Sequence, residues 1–376
     1  MIPFNIPPFV GDELTYIKEA AEKRKISGDG EFTKKSSKLL EESLGANKIL
    51  LTTSGTSALD MAAFLSLKRG DEVILPSYTF SSTATSCVLA GARLVFVDIR
   101  PDTMNIDENK IEAAITDKTR AVMLVHYAGV ACDMEKIFEI AKKYNLFIIE
   151  DAAQALYAKY KDKFLGTLGD FGCYSFHETK NLSSGEGGAI AVKDAKNNER
   201  AEILREKGTN RSKFFRGEID KYTWVDFGDS YLLSELNAAY LYGELINAEK
   251  INKSRMDSWN FYNDNLKDLA AKEKLELMTI PDYATHNAHM FYVKLKDLDE
   301  RTKFINYLKE RDIGAVFHYI PLHSAPAGKI YGRLSGKDEY TTKESERLVR
   351  LPLYYDMDRR DLEKVVETIY GFCKRI

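Results

Sequence analysis

Along the first two-thirds of the chain, short apolar runs alternate with longer stretches in which apolar positions recur every three or four residues. The runs KILLTT (48–53), DEVILP (71–76), ARLVFVDI (92–99), AVMLVHY (121–127), LFIIED (146–151) and GAIAV (188–192) are short and rich in branched residues, and predict strands. Between them, SALDMAAFLSLKRG (57–70) and DMEKIFEIAKKYN (133–145) predict helices that end at Gly70 and Asn145, while Gly91 marks a further turn. Strands this uniformly apolar are buried on both faces. The pattern therefore predicts an α/β fold with a mostly parallel, helix-flanked sheet.

Near residue 246 the pattern changes. A long charged helix is predicted through EKINKSRMDSWNFYNDNLKDL (249–269), followed by strand candidates HMFYVKL (289–295) and GAVFHYI (314–320) and a closing helix, DRRDLEKVVETIYGFCKRI (358–376). This predicts a large domain over residues 1–246 and a smaller C-terminal α/β domain over 247–376. No repeat or low-complexity tract interrupts either part.

Composition narrows the function classes. At 376 residues and 44% hydrophobic, the chain can bury a substantial core. With 54 basic against 57 acidic residues, the net charge of −3 gives no general attraction to nucleic acid or an anionic membrane, so small-molecule partners are expected. Cys87, Cys132, Cys173 and Cys373 are scattered without CxxC spacing, and none of the six histidines forms an HxxxH pair, so no metal site is expected. Free cysteines suit a reducing compartment. The opening MIPFNIPPFVGDEL lacks a basic start followed by a long apolar stretch, and no run approaches ~18 apolar residues, so the expectation is a cytoplasmic protein, neither exported nor embedded.

The candidate chemistry lies at strand ends. The run at 147–149 emerges at Glu150 and Asp151, and Lys180 follows within CYSFHETKNLSSGEGGA (173–189). An acid at a strand end with a lysine beside a Gly-rich turn provides what is needed to hold an aldehyde cofactor. Earlier, TTSGTSALDMAAFLSL (52–67) reads as a strand, small polar residues and a helix, whose N-terminal amides and partial positive charge favour a phosphate. Gly55 would admit close backbone approach there, and Thr56 and Ser57 would add hydroxyls. Ser and Thr cap helices widely, so SGTS alone is weak evidence. In PSYTFSSTATS (76–86), Phe80 could cover a flat ring, although a single Phe is more often core. The order of phosphate turn, aromatic, acid and lysine gives these elements weight together.

The segments SGTSAL, DEVILPSYTF, the run from DTMNIDENKIEAAIT to AVMLVHYAG, IIEDAAQA and SFHETKNLSSGEGGA resemble, in order and spacing, the DegT/StrS family of pyridoxal-phosphate-dependent nucleotide-sugar aminotransferases. The resemblance covers nearly the whole chain. Within that family, LREKGTNRSKFFRGEIDKYTWVDFGDSYLLSELNAAYL (204–241) resembles the TDP-4-keto-6-deoxy-D-glucose 4-aminotransferases of common antigen synthesis. The resemblance implies a type I aminotransferase fold and a homodimer with active sites at the subunit interface. It implies that Lys180 holds pyridoxal 5'-phosphate as a covalent Schiff base and serves as acid and base. Asp151 would pair with the pyridine nitrogen, Gln154 would reach the ring hydroxyl and Phe80 would stack on the ring. Gly55, Thr56, Ser57 and Ser175 would hold the phosphate.

Many family members add an Asn from the partner subunit near the position of GDSYLLSE. This chain has Ser230 and Leu232 there and no Asn, which makes Ser230 the candidate substitute. The segment TNRSKFFRG (209–217) interleaves Arg211, Lys213 and Arg216 with Phe214 and Phe215, a mixture that can grip a pyrophosphate and a base or simply form a solvated loop. The slightly acidic chain favours a nucleotide-sugar diphosphate over nucleic acid. His177 lies inside the lysine motif, and His318 and His323 in HYIPLH are further substrate candidates with an equally ordinary structural role. The expected reaction moves an amino group from L-glutamate to TDP-4-keto-6-deoxy-D-glucose, giving TDP-4-amino-4,6-dideoxy-D-galactose. The alternatives are a sugar 3-aminotransferase, a sugar dehydratase (whose relatives replace the lysine) and a non-catalytic cofactor-binding regulator.

Overall fold

The computed structural model describes residues 1–375. An eight-stranded sheet organises the chain, in the order Lys48–Thr52, Gly188–Val192, Phe171–Ser175, Phe147–Asp151, Thr119–Val125, Glu72–Pro76, Arg93–Val97 and Gly332–Leu334. All neighbours run parallel except at Gly188–Val192, which is antiparallel to the strands on both sides. Alternate residues of the central strands enter different cores. Ile74, Val95, Val122 and Ile148 pack on one face, and Val73, Leu94, Met123 and Ile149 on the other. The uniformly apolar strands follow from this double coverage.

The flanking helices start and stop where local chemistry dictates. Asp133 caps Met134–Tyr144 by accepting from the Lys136 amide, Met134, Ile137, Ile140 and Ala141 form its buried stripe, and Asn145 ends it in the left-handed region at φ 53°. Ser54 caps Gly55–Ser66, a helix buried along most of its first two turns between the sheet and its neighbours. Its sequence is correspondingly apolar around most of its circumference.

Beyond residue 246, the helix Ala248–Ala271 leads to a three-stranded antiparallel sheet of Glu276–Leu277, Phe291–Lys294 and Leu348–Leu351. Helices Leu298–Lys309 and Arg359–Cys373 complete its core, which includes Phe291, Phe304, Leu362 and Val365. The C-terminal region also reaches back, because Gly332–Leu334 pairs in parallel with Arg93–Val97 at the edge of the large sheet.

One strand expectation needs correction, and one strand was not anticipated. GAVFHYI (314–320) forms no strand; Val316 makes one isolated bridge to Arg350, and the neighbouring Ile313 makes another to Ile2. His318 and Tyr319 turn to a cavity wall and Pro321 follows, so the segment has no continuous ladder. Conversely, FGCYS (171–175) is a central strand that apolar content did not single out, because two of its five residues, Gly172 and Ser175, carry little apolar surface.

Candidate active site

The parallel strands Thr119–Val125, Phe147–Asp151 and Phe171–Ser175 end side by side, and their last residues, Val125, Asp151 and Ser175, all line one cavity of about 410 Å³. Carboxyl ends of parallel strands are where open α/β sheets bind ligands. His289, Met290, His318, Tyr319 and Arg350 form the facing wall, so the cavity lies between the large sheet and the C-terminal region.

Successive residues on a strand point to opposite faces, which separates the two acids at 150 and 151. Glu150 is fully buried and accepts from the Gly166, Leu168 and Gly169 amides and from His126 Nε2 at 2.8 Å. It anchors a turn beneath the sheet end. Asp151 enters the cavity, accepting from Thr83 Oγ1 at 2.7 Å and the Ala153 amide at 3.2 Å. Burial pushes its carboxyl upward, against the opposing effects of those hydrogen bonds and of the Lys180 and His126 charges.

Lys180 lies in the loop between Phe171–Ser175 and Gly188–Val192 and lines the same cavity. The loop is pinned at several points. The Lys180 amide donates to the His177 carbonyl at 2.9 Å, Asn181 Nδ2 donates to the Asn287 carbonyl at 2.7 Å, and the Ser183 amide donates to Glu244. Burial lowers the Lys180 amine to about 8; Asp151 acts in the opposite direction and Arg350 adds to the lowering. A neutral amine is thus accessible near neutral pH, as nucleophilic and general-base lysines require. His289 and His318 are pushed well below the ordinary histidine range, chiefly by burial, so the wall facing the lysine contributes two neutral imidazoles.

Gly55 and Thr56, which open the Gly55–Ser66 helix, also line the cavity. Ser54 Oγ accepts from the Ser57 amide, leaving the earlier first-turn amides for an anion. Thr56 Oγ1 and Ser82 Oγ share a 2.7 Å hydrogen bond, and Ser175 packs beside Gly55, where an added Cβ would meet the Ser175 Cβ at 2.8 Å. Phe80 stands at the lip, 57% exposed. Gln154 Oε1 accepts from the Ala128 amide at 2.6 Å, and its Nε2 donates to the Tyr319 hydroxyl at 3.0 Å. These groups fit pyridoxal phosphate: a glycine-lined anion cradle, an aromatic lip, a buried carboxylate and a lysine whose amine is lowered.

Of the residues expected from sequence, the cavity brings together Gly55, Thr56, Phe80, Asp151, Gln154, Ser175, His177, Lys180 and His318. Ser57 sits just behind the lining, its hydroxyl bonded to Thr53 and Ser54. Ser230 is exposed, bridged to Glu206 away from this cavity. Arg211 pairs with Glu206, Lys213 with Glu199 and Arg216 with Glu202 and Glu218, none of them on the lining. His323 is held by Ser77 Oγ at 2.7 Å and Asp338 at 3.2 Å, also off the lining. Sequence reasoning missed Thr83 and Arg350. Thr83 gives no signal within TFSSTATS, since only the fold sets it against Asp151. Arg350 was detectable as a lone charge inside the apolar run LVRLPL.

Among the described residues no cluster of acids, histidines or cysteines could hold a metal ion, and no helix is long and apolar enough to cross a membrane. Comparison with known proteins adds the family. The profile of the DegT/DnrJ/EryC1/StrS aminotransferase family matches residues 9–370. The chain is 36% identical to the dTDP-3-amino-3,6-dideoxy-alpha-D-galactopyranose transaminase of Aneurinibacillus thermoaerophilus over 87% of both chains. It is 30% identical to the GDP-perosamine synthase of Caulobacter vibrioides over 96% of both. The PMP form of a putative sugar aminotransferase from Streptococcus pneumoniae superimposes with a TM-score of 0.90 over the full length of both chains at 24% identity, which supports the type I aminotransferase fold. The chain therefore belongs to the DegT/DnrJ/EryC1/StrS aminotransferase family and is a pyridoxal-phosphate-dependent sugar aminotransferase.

Proposed function

We propose that this enzyme transfers the amino group of L-glutamate to carbon 4 of TDP-4-keto-6-deoxy-D-glucose, giving TDP-4-amino-4,6-dideoxy-D-galactose. The observation that carries the transfer chemistry is the lowered Lys180 amine sharing one cavity with the buried Asp151. The choice of sugar is supported by the resemblance of residues 204–241 to enzymes that act on that substrate. A second reading, amination at carbon 3, is favoured by the 36% identity to the 3-amino sugar transaminase.

Bound pyridoxal phosphate supplies an aldehyde carbon that carries nitrogen between the two substrates and a ring that accepts an electron pair. In this proposal the chain does the rest. Lys180 takes the α-proton of glutamate and later delivers a proton to the sugar carbon. Asp151, held in place by Thr83 and Ala153, keeps a proton on the ring nitrogen. The Gly55 and Thr56 amides, with the Thr56 and Ser175 hydroxyls, bind the phosphate, and Phe80 covers the ring. Gln154 is the candidate donor to the ring hydroxyl, with its Nε2 shared with Tyr319. Ser230, exposed in its own chain, fits a phosphate contact across a homodimer.

The test is an absorbance titration of the loaded enzyme. L-glutamate should abolish the cofactor's visible band and TDP-4-keto-6-deoxy-D-glucose should restore it, with the product's amine position assigned by NMR. Restoration only by a 3-keto sugar selects the second reading. Lys180→Ala should fold, retain a cavity for the cofactor and show no turnover; ordinary turnover in that variant would overturn the mechanism.

A further inference from the structure

The turn Asn287–Ala288–His289 is braced at each residue. Asn287 Nδ2 donates to the Gln154 and Leu156 carbonyls at 3.1 and 2.9 Å, and its Oδ1 accepts from the His289 amide at 3.1 Å. Ala288 sits in the left-handed region at φ 51°. Buried Arg255 donates from Nε to the Ala288 carbonyl at 3.2 Å and from Nη2 to the His289 carbonyl at 2.7 Å. Burial alone lowers its guanidinium, to about 10, with no carboxylate acting on it. A buried charge without a counter-charge costs stability, so Arg255 is better explained by the turn it braces. That turn sets the His289 ring against the lysine loop. Asn181, next to Lys180, donates from Nδ2 to the Asn287 carbonyl at 2.7 Å, which leaves its Oδ1 facing His289 Nδ1 at 3.0 Å. An amide oxygen only accepts, so Nδ1 carries the proton. Burial and the charges of Lys180, Arg255 and Arg350 keep the ring neutral, and Nε2 therefore carries a lone pair. His289 lines the cavity and is only 8% exposed, while its Nε2 has no partner among the described residues and is not sealed. A fixed proton acceptor thus opens into the site.

An acceptor recognises a donor, and the molecules of the proposed reaction differ in what they offer. Glutamate's nitrogen is the atom being transferred, and its carboxylates only accept. The cofactor phosphate also only accepts, and its ring groups have Asp151 and Gln154. The keto sugar is the partner that brings hydroxyls. In a 4-keto-6-deoxy sugar the keto carbon is flanked by carbon 3, which carries a hydroxyl, and by carbon 5, which carries the ring oxygen and a methyl. We infer that His289 Nε2 accepts the hydroxyl of carbon 3 and so selects the sugar, an inference that rests on the proposed 4-keto substrate. That hydroxyl is borne by the carbon next to the one Lys180 serves, and Asn181 ties His289 to the residue beside Lys180. The contact also withholds a proton. To leave as water the hydroxyl would need a donor, and this nitrogen has no proton to give.

The experiment compares the holoenzymes of wild type, His289→Asn and His289→Gln. Asn keeps an amide nitrogen near the Nδ1 position, and with it the donation to Asn181, while losing the acceptor; Gln carries an amide oxygen out to the reach of Nε2. After bleaching by L-glutamate, return of the visible band is followed by stopped flow with TDP-4-keto-6-deoxy-D-glucose and with its 3-deoxy analogue. In His289→Asn the apparent second-order rate constant for the parent sugar should fall about tenfold, as expected when a buried hydroxyl loses its acceptor, while the 3-deoxy analogue reacts equally with wild type and variant. His289→Gln should recover part of the loss, and bleaching by L-glutamate should keep its wild-type rate and pH profile in all three proteins. An equal loss with both sugars overturns the assignment, as do unchanged kinetics with the parent sugar. A matching loss in glutamate bleaching also overturns it, by giving the lone pair to the Lys180 amine instead. Failure of the functional reading looks different: the wild-type band would bleach with glutamate and not return with the parent sugar, and the assigned hydroxyl would fall with it.

Discussion

Replacing Thr83 by Val removes one hydroxyl and nearly preserves shape, which isolates a single contact of the site. Thr83 Oγ1 donates to Asp151 Oδ2 at 2.7 Å and is itself bonded to Thr79 Oγ1 at 2.8 Å, all of them buried. A hydrogen bond to an ionised group contributes about 1.5–3 kcal/mol, and each 1.36 kcal/mol of preference for the charged form corresponds to about one pKa unit. Burial already raises the Asp151 carboxyl, and the Thr83 bond opposes that rise. Its loss therefore raises the carboxyl further and leaves less carboxylate for the proposed pairing with the ring nitrogen. The glutamate half-reaction, followed by stopped-flow absorbance across pH, should slow about 10- to 100-fold, the cost of a lost hydrogen bond to a charged group, with its acid limb displaced to higher pH. Thr83→Ser keeps the donor and should track wild type. An unmoved acid limb in a folded Thr83→Val enzyme would refute the claim that this hydroxyl sets the state of Asp151.

Other contacts make further predictions. A Cβ on Gly188 would lie 2.3 Å from the Ser54 carbonyl oxygen, so Gly188→Ala must displace the turn leading into the Gly55–Ser66 helix; pyridoxal phosphate affinity, measured by dialysis, should weaken at least about tenfold, equivalent to ~1.4 kcal/mol, and unchanged affinity would count against the anion cradle. Glu244, buried beneath the lysine loop, is pushed up to about 9 by burial, with Glu13 adding to the rise and the Ser183 amide opposing it. The folded chain therefore keeps a proton that the unfolded chain has released, and this group makes stability fall as pH rises, by up to about 1.4 kcal/mol per unit between pH ~5 and ~8. Glu244→Gln should lose that slope in urea unfolding at pH 5.5 and 7.5; parallel behaviour of the two proteins would mean Glu244 is ionised when folded.

Much of the fold was legible because double burial of parallel strands leaves an unmistakable signature, as in VMLV and FII. The lysine, the strand-end acid and the capped helix were legible because each sits at a punctuation point, where an apolar run meets Gly, Ser or an acid. What escaped depends on partners distant in sequence. Phe171–Ser175 is a strand because of the neighbours that its five residues pair with. Thr83 matters because its helix passes over the end of Phe147–Asp151, and nothing in STATS encodes that meeting. GAVFHYI has strand composition, yet its backbone finds only a single bridge at Val316 while His318 and Tyr319 are recruited to the cavity wall. Arg211, Lys213 and Arg216 looked available for an anionic substrate because sequence spacing conceals the glutamates that the fold sets against them.

The pairing of Gly332–Leu334 with Arg93–Val97 has a consequence for biogenesis. Until the ribosome has released residues 332–334, the strand Arg93–Val97 is the open margin of a long apolar sheet, its outer backbone groups unpaired. During that interval the nascent chain presents RLVFV as a template for other strands, including those of sister chains on the same message. Chaperone dependence during synthesis should accordingly concentrate on this margin, and deletions after residue 331 should yield aggregates even though every residue of the Lys180 loop is present.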